Sequence, residues 1–143
     1  MDILFICRDA LGSSIMTNLA LAIQAKNSGS DVAVLFTEEA LQGLTDGILR
    51  WPPELLGQEI RYKMADNAVD AGMTKASGGG QARHIDPRAS LVEARQKGVP
   101  MFASPIWVTL LGLSDKLPGE LSKVSPADEL KMLKEAKTII GSL

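Results

Sequence analysis

The stretch Ile3-Leu-Phe-Ile-Cys-Arg-Asp-Ala-Leu-Gly-Ser-Ser-Ile-Met16 changes its pattern halfway along, and that change decides the fold. Ile3–Cys7 is a continuous apolar run rather than an alternating one, as expected of a short strand covered on both faces. After it, apolar residues recur at Ile15, Met16, Leu19, Ala20 and Ile23, and the pattern stops at Gly29. That spacing predicts an amphipathic helix, with Ser13 or Ser14 as N-cap because a serine hydroxyl can accept one of the free amides of the first turn. The chain therefore opens with a strand, a turn carrying its only cysteine, and a helix.

The same alternation continues. Val32–Thr37 reads as a second buried strand, followed by a short helix from Glu38 to Gly43. Residues 44–89 carry a weaker signal, with a helix predicted around Gln58–Ala71 and then Ala76-Ser-Gly-Gly-Gly-Gln-Ala82, whose glycines read as a mobile loop, an insertion centred on 76–83. Asp86-Pro-Arg is the best-marked helix start, with a capping aspartate and a proline at the first helical position; its helix ends at Gly98. Val99–Ser104 is a third long strand, Trp107–Leu113 a short helix, Ser125–Ala136 a capped helix and Lys137–Gly141 a last strand. Strands that alternate with helices imply a single α/β domain with a mainly parallel sheet and helices on both faces. Ligands in such sheets collect beyond the carboxyl ends of the strands, here the loops Cys7–Ser14 and Ser104–Trp107.

Composition narrows the function classes. Fifteen Lys and Arg stand against 17 Asp and Glu, so charge gives no reason to expect nucleic acid or an anionic membrane surface. No apolar run approaches the roughly 20 residues of a membrane-spanning helix. One cysteine cannot form an internal disulfide, and the first residues lack the basic start of a secretory signal, so a cytoplasmic protein is expected. Cofactor and metal motifs are lacking: no Walker loop is present, and the one histidine, His84, lacks the companions of a metal site.

Cys7 admits two readings. A free cysteine at the end of a core strand is commonly a small buried hydrophobe. Beside a helix N-terminus it can instead be a thiolate nucleophile, with the amides of Leu11 to Ser14 cradling an anion. The spacing C-x4-G-S-S-x-M resembles the active loop of sugar-phosphotransferase B components, which would make Cys7 a phosphocarrier or thiol enzyme. The first strand also resembles that of low-molecular-weight tyrosine phosphatases, but their nucleophilic cysteine falls on Gly12 and their phosphate-binding arginine on Ser13. Both catalytic groups of that chemistry are missing.

Over most of its length outside residues 44–89 the sequence is similar to the DsrE/DsrF-like family of intracellular sulfur relay. Three segments carry the resemblance: Ile3-Leu-Phe-Ile with the helix Ile15–Lys26 and Gly29-Ser-Asp-Val-Ala-Val-Leu-Phe-Thr37; Ala94-Arg-Gln-Lys-Gly-Val-Pro-Met-Phe-Ala-Ser-Pro-Ile-Trp107 through Leu113; and Leu121–Val124 with Ala136–Ile140. The resemblance implies a flavodoxin-like three-layer sandwich, and a homo-oligomer, trimer or hexamer, with Ile106–Leu113 as an interface. It also exposes a departure. Ser104 stands where sulfur-carrying members have cysteine, and a hydroxyl cannot hold a persulfide. The expected function is thus a sulfur-relay-related or small-ligand-binding protein in preference to an enzyme, taking a small anionic or sulfur-containing ligand at Arg8, Gly12, Ser13, Ser14, Ser104 and Trp107; the alternative is a phosphocarrier or thiol enzyme with Cys7 as the one candidate nucleophile.

The remaining polar residues carry weaker alternatives. His84 reads as an exposed loop residue, or with Arg83 as a clasp over an anion. Trp51 and Trp107 read as core-edge covers or pocket shields. Glu38 and Glu39 read as helix-start acids that favour the dipole, or as general bases.

Overall fold

The computed structural model describes residues 1–141. Its elements are β1 (Ile3–Cys7), α1 (Gly12–Asn27), β2 (Val32–Phe36), α2 (Glu38–Asp46), a 3-10 turn at Pro53–Leu55, α3 (Gln58–Asp70), β3 (Ala76–Ser77), a second 3-10 turn at Gly80–Ala82, and β4 (His84–Ile85). There follow α4 (Pro87–Gln96), β5 (Met101–Ala103), α5 (Pro105–Leu110), β6 (Ser122–Lys123), α6 (Pro126–Glu135) and β7 (Thr138–Ile140). Five strands form one parallel sheet in the order β6-β5-β2-β1-β7.

The two central strands explain why this chain folds as it does. Every residue of β2 is buried, and Leu4, Phe5 and Cys7 of β1 are buried with them. Pleating sends Phe5, Cys7, Val32, Val34 and Phe36 to one face, where Ile15, Leu19, Ala22 and Ile23 of α1, Leu91 and Ala94 of α4, and Ala40, Leu41 and Leu44 of α2 meet them. Leu4, Ala33 and Leu35 point to the other face and pack against Met132 and Leu133 of α6 and Ala136 just after it. Each fully buried Leu or Phe contributes about 1.5–3 kcal/mol of transfer free energy, so the absence of alternation in β1 and β2 follows from burial on both sides. The α/β sandwich expected from the sequence is the observed fold.

Local signals worked where a side chain satisfies a helix end. Asp86 accepts the Arg88 amide at 3.0 Å at the start of α4, Ser125 accepts the Asp128 amide at 3.1 Å at the start of α6, and Gly98, at φ 80°, ends α4. At α1 they did not. The helix begins at Gly12 behind Leu11, and no side chain caps it. Ser13 and Ser14 lie inside its first turn, because Asp9 takes the Leu11 amide at 3.1 Å and the Arg50 carbonyl takes the Gly12 amide at 2.7 Å.

The glycine-rich segment read as a mobile loop is folded as a hairpin. β3 and β4 pair antiparallel, Ala76 with Ile85 and Ser77 with His84. Gln81 carbonyl accepts from Arg61 Nη2 at 2.9 Å and from Tyr62 hydroxyl at 3.0 Å, while Arg83 pairs with Asp66 at 2.8 Å and lies 4.0 Å from the Tyr62 ring centre. α3 and the hairpin are thereby joined.

Gly12 sits where α1 meets both α4 and this insertion. A Cβ there would lie 2.7 Å from Pro87 Cγ and 3.3 Å from Cε2 and Cζ2 of Trp51. Alanine is the better helix former by about 1 kcal/mol, yet both neighbours are rigid rings. Gly12→Ala is expected to lower unfolding free energy by about 1–2 kcal/mol through overpacking. Urea denaturation measures it, and an unchanged or raised midpoint would contradict this packing.

Candidate functional site at the carboxyl ends of the strands

The rim of the sheet is organised by backbone hydrogen bonds from the segment after β1. Cys7 carbonyl accepts the Thr37 amide at 3.0 Å, Arg8 carbonyl accepts the Ala40 amide at 3.0 Å, and Ala10 carbonyl accepts the Arg50 amide at 2.8 Å. These bonds turn the Arg8 and Asp9 side chains toward a cleft of about 420 Å³, also lined by Glu38, Glu39 and Gly141. Gly141 follows β7, which lies on the opposite side of β1 from β2. The cleft thus opens where the order of the strands reverses, a usual place for a ligand in an open parallel sheet.

Ion pairs hold its walls. Arg8 Nε lies 2.7 Å from Glu38 Oε2, and Arg50 Nη2 lies 2.7 Å from Glu39 Oε2. Glu38 has φ 53°, in the left-handed region that residues with a side chain rarely adopt. Such a conformation costs about 1–3 kcal/mol and persists where surrounding contacts impose it. Here the backbone bonds of Thr37 and Ala40 fix the residues on either side, and Arg8 holds the carboxylate. Glu38 and Glu39 do open α2, as read from the sequence, but both carboxylates are engaged by arginines.

Cys7 lies beneath this cleft, 1% exposed. Burial away from water, with a smaller contribution from the Asp9 carboxylate, pushes its thiol up to about 12. At neutral pH it is a protonated core side chain. The amides expected to cradle an anion are not all available either, since those of Leu11 and Gly12 are bonded to Asp9 and Arg50.

Ser104 caps β5 at the same rim, two strands from Cys7, and is 2% exposed. Its hydroxyl donates to Glu129 Oε1 at 2.8 Å, joining β5 to α6. Glu129 had no signal in the sequence, because the two residues meet only through the fold. Trp107 packs against the main core as a half-buried cover. Of the residues expected at one crevice, only Arg8 lines the rim cleft; Gly12 lies against Trp51, Ser13 and Ser14 lie in the first turn of α1, and Ser104 and Trp107 lie toward α6 and the core. Trp51 and His84 line a separate cavity with α3. Among the described residues no group of three or more His, Cys, Asp or Glu side chains could hold a metal ion, and no helix is long and apolar enough to cross a membrane.

Two measurements check this geometry. Cys7 is expected to resist iodoacetamide in the native protein from pH 7 to 9 and to react fully once unfolded; labelling of the native thiol at the rate of the unfolded one would contradict its burial. The unfolded thiol ionises near its ordinary value of 9.0 and the folded one near 12, so this group's contribution to stability, full below pH 9, is lost as pH rises through that window. Ser104→Ala leaves Glu129 without its donor and is expected to cost about 1–2 kcal/mol, read as a lower urea midpoint; no change would mean that the bond contributes nothing.

No protein-family model matches the chain, and no curated protein sequence matches it. Solved structures do. The crystal structure of the ychN protein from E. coli aligns over 99% of this chain and 99% of its own, with a TM-score of 0.60 and 14% identity. A conserved protein of unknown function from Bacteroides thetaiotaomicron, BT1422, aligns over 98% of this chain and 94% of its own, with a TM-score of 0.58 and 12% identity. At these identities the likeness is one of fold, and it extends over nearly the whole length of the chain.

Proposed function

We propose that this chain is a DsrE/DsrF-like protein that binds a small polar ligand non-covalently in the cleft at the ends of β1, β2 and β7, and that it carries neither sulfur nor phosphoryl on a thiol. The observation that carries this reading is the burial of Cys7 with its raised thiol pKa; Ser104, the position at which the resemblance would put a thiol, supports it. A thiol acts as a nucleophile or sulfur carrier through its thiolate, and this one stays protonated far above neutral pH.

Three carboxylates, Asp9, Glu38 and Glu39, line the cleft beside one guanidinium, Arg8. Of the anionic and sulfur-containing ligands expected from the sequence, the cleft best suits one that also bears a cationic or hydrogen-bond-donating group, which the acidic walls would hold while Arg8 meets the acceptor. The protein then works by binding rather than by catalysis, in the cytoplasm. It does so as a homo-oligomer: Ile106 and Leu110 on α5 are 60% and 64% exposed, an apolar pair that a second copy would cover.

Native mass spectrometry of the protein isolated from cells tests all of this at once. The expected result is a multiple of the chain mass carrying a dissociable small molecule, retained in Cys7→Ser and lost in Arg8→Ala. An added sulfur atom or phosphoryl group on Cys7 would overturn the non-covalent reading, and a monomer would overturn the assembly.

A further inference from the structure

A second cavity, of about 310 Å³, lies away from the rim cleft and is lined by Trp51, Leu55, Leu56, Arg61, Met64, His84 and Ile85. Its volume is at the small end of the range of small-molecule sites, about 300–1,000 Å³. Most of the wall is apolar. We propose that it is a binding site for a small organic acid, whose flat apolar body lies against Trp51 and whose carboxylate pairs with Arg61.

The walls are held in place from both sides. Trp51 is fixed on the core side: Arg50 is bonded through its amide and carbonyl to Ala10 and Gly12, and the indole stands against Gly12. α3 and the hairpin are joined by the bonds from Arg61 and Tyr62 to the Gln81 carbonyl and by the Arg83–Asp66 pair. A cavity braced in this way pays little ordering cost on binding.

Arg61 supplies the reason for a charge on the ligand. Arg8, Arg50 and Arg83 each have a carboxylate at 2.7–2.8 Å. Arg61 is half-buried, and among the described residues no carboxylate lies within ion-pair distance of it. Its Nη2 donates to a neutral carbonyl, and its Nε is buried with no hydrogen-bond partner. A partly desolvated guanidinium without a counter-ion, on the wall of an apolar cavity, is completed by an oxyanion. His84 defines the neighbouring part of the wall. Its Nδ1 lies 2.8 Å from the Ala82 carbonyl, which can only accept, so Nδ1 carries a proton and, in the tautomer with a single ring proton, Nε2 is the acceptor. A hydroxyl or N–H on the ligand is matched there.

The experiment is an NMR titration with 3-phenylpropionate, and with 3-phenylpropanamide as its uncharged counterpart. His84 is the only histidine and the chain has two tryptophans, so the imidazole and each indole N–H give separate signals; a Trp107→Phe variant assigns the indoles. The acid is expected to shift Trp51 and His84 saturably, to leave Trp107 in place, and to bind about tenfold or more tightly than the amide, as a charge-assisted pair requires. Arg61→Met is expected to abolish that preference. Arg61→Lys, which keeps the charge but loses the planar fork, reduces it and serves where the methionine variant does not fold. Arg8→Ala is expected to bind as the parent does, which keeps this site separate from the rim cleft. Equal affinity for acid and amide, no saturable shift at Trp51, or loss of binding in Arg8→Ala would each overturn the proposal.

Discussion

The segment Arg8–Gly12 makes the hydrogen bonds on which the rest of the molecule depends. It leaves the central strand at Cys7, whose carbonyl takes the Thr37 amide, and is itself bonded in turn to the backbone of Ala40 and Arg50. The bonds to Thr37 and Ala40 join β1 to the start of α2, and those to Arg50 attach the long insertion to the core. Buried amides and carbonyls must be paired, so this segment has little freedom to move. Its rigidity seals Cys7 below, presents Arg8 and Asp9 above, and sets Trp51 against Gly12.

Polar chemistry at the rim is consequently directed outward. The thiol lies in apolar surroundings that favour its neutral form, whereas the charged groups stand a few residues further along, where water still reaches them. Arginine–carboxylate pairs at 2.7 Å hold the walls of the cleft. Exposed pairs of this kind add little to stability, commonly under about 1 kcal/mol each, so their value lies in orienting Glu38 and Glu39. The left-handed backbone at Glu38 accompanies this orientation, held by the bonds of Thr37 and Ala40 on either side.

How much of this was legible follows from the range of each interaction. Ile3–Cys7 and Val32–Phe36 could be read from the sequence because burial on both faces writes itself as an unbroken apolar run. Asp86 and Ser125 could be read because a cap and its amide are two or three residues apart. The start of α1 could not: Ser13 and Ser14 look like caps, but the competing acceptors are Asp9 and the carbonyl of Arg50, the latter 38 positions away from Gly12 and visible only once the insertion is in place. Ser104 stands directly after β5, where an apolar run ends, yet its partner Glu129 comes from α6 and left no local mark. The glycines of 78–80 suggested freedom, and what opposes that freedom is spread over Arg61, Tyr62 and Asp66 of α3.

The position of β7 bears on biosynthesis. β1 is made first and can pair with β2 almost at once, but its other edge waits for Thr138–Ile140, which align with Ile3, Leu4 and Phe5. Closing so long a loop costs only modestly more entropy than closing a short one, about 0.6 kcal/mol per doubling, yet it is slow. Until Thr138–Ile140 has been made an apolar strand therefore shows an unfilled edge, a template on which the corresponding strand of a neighbouring chain can dock in exchange for its own.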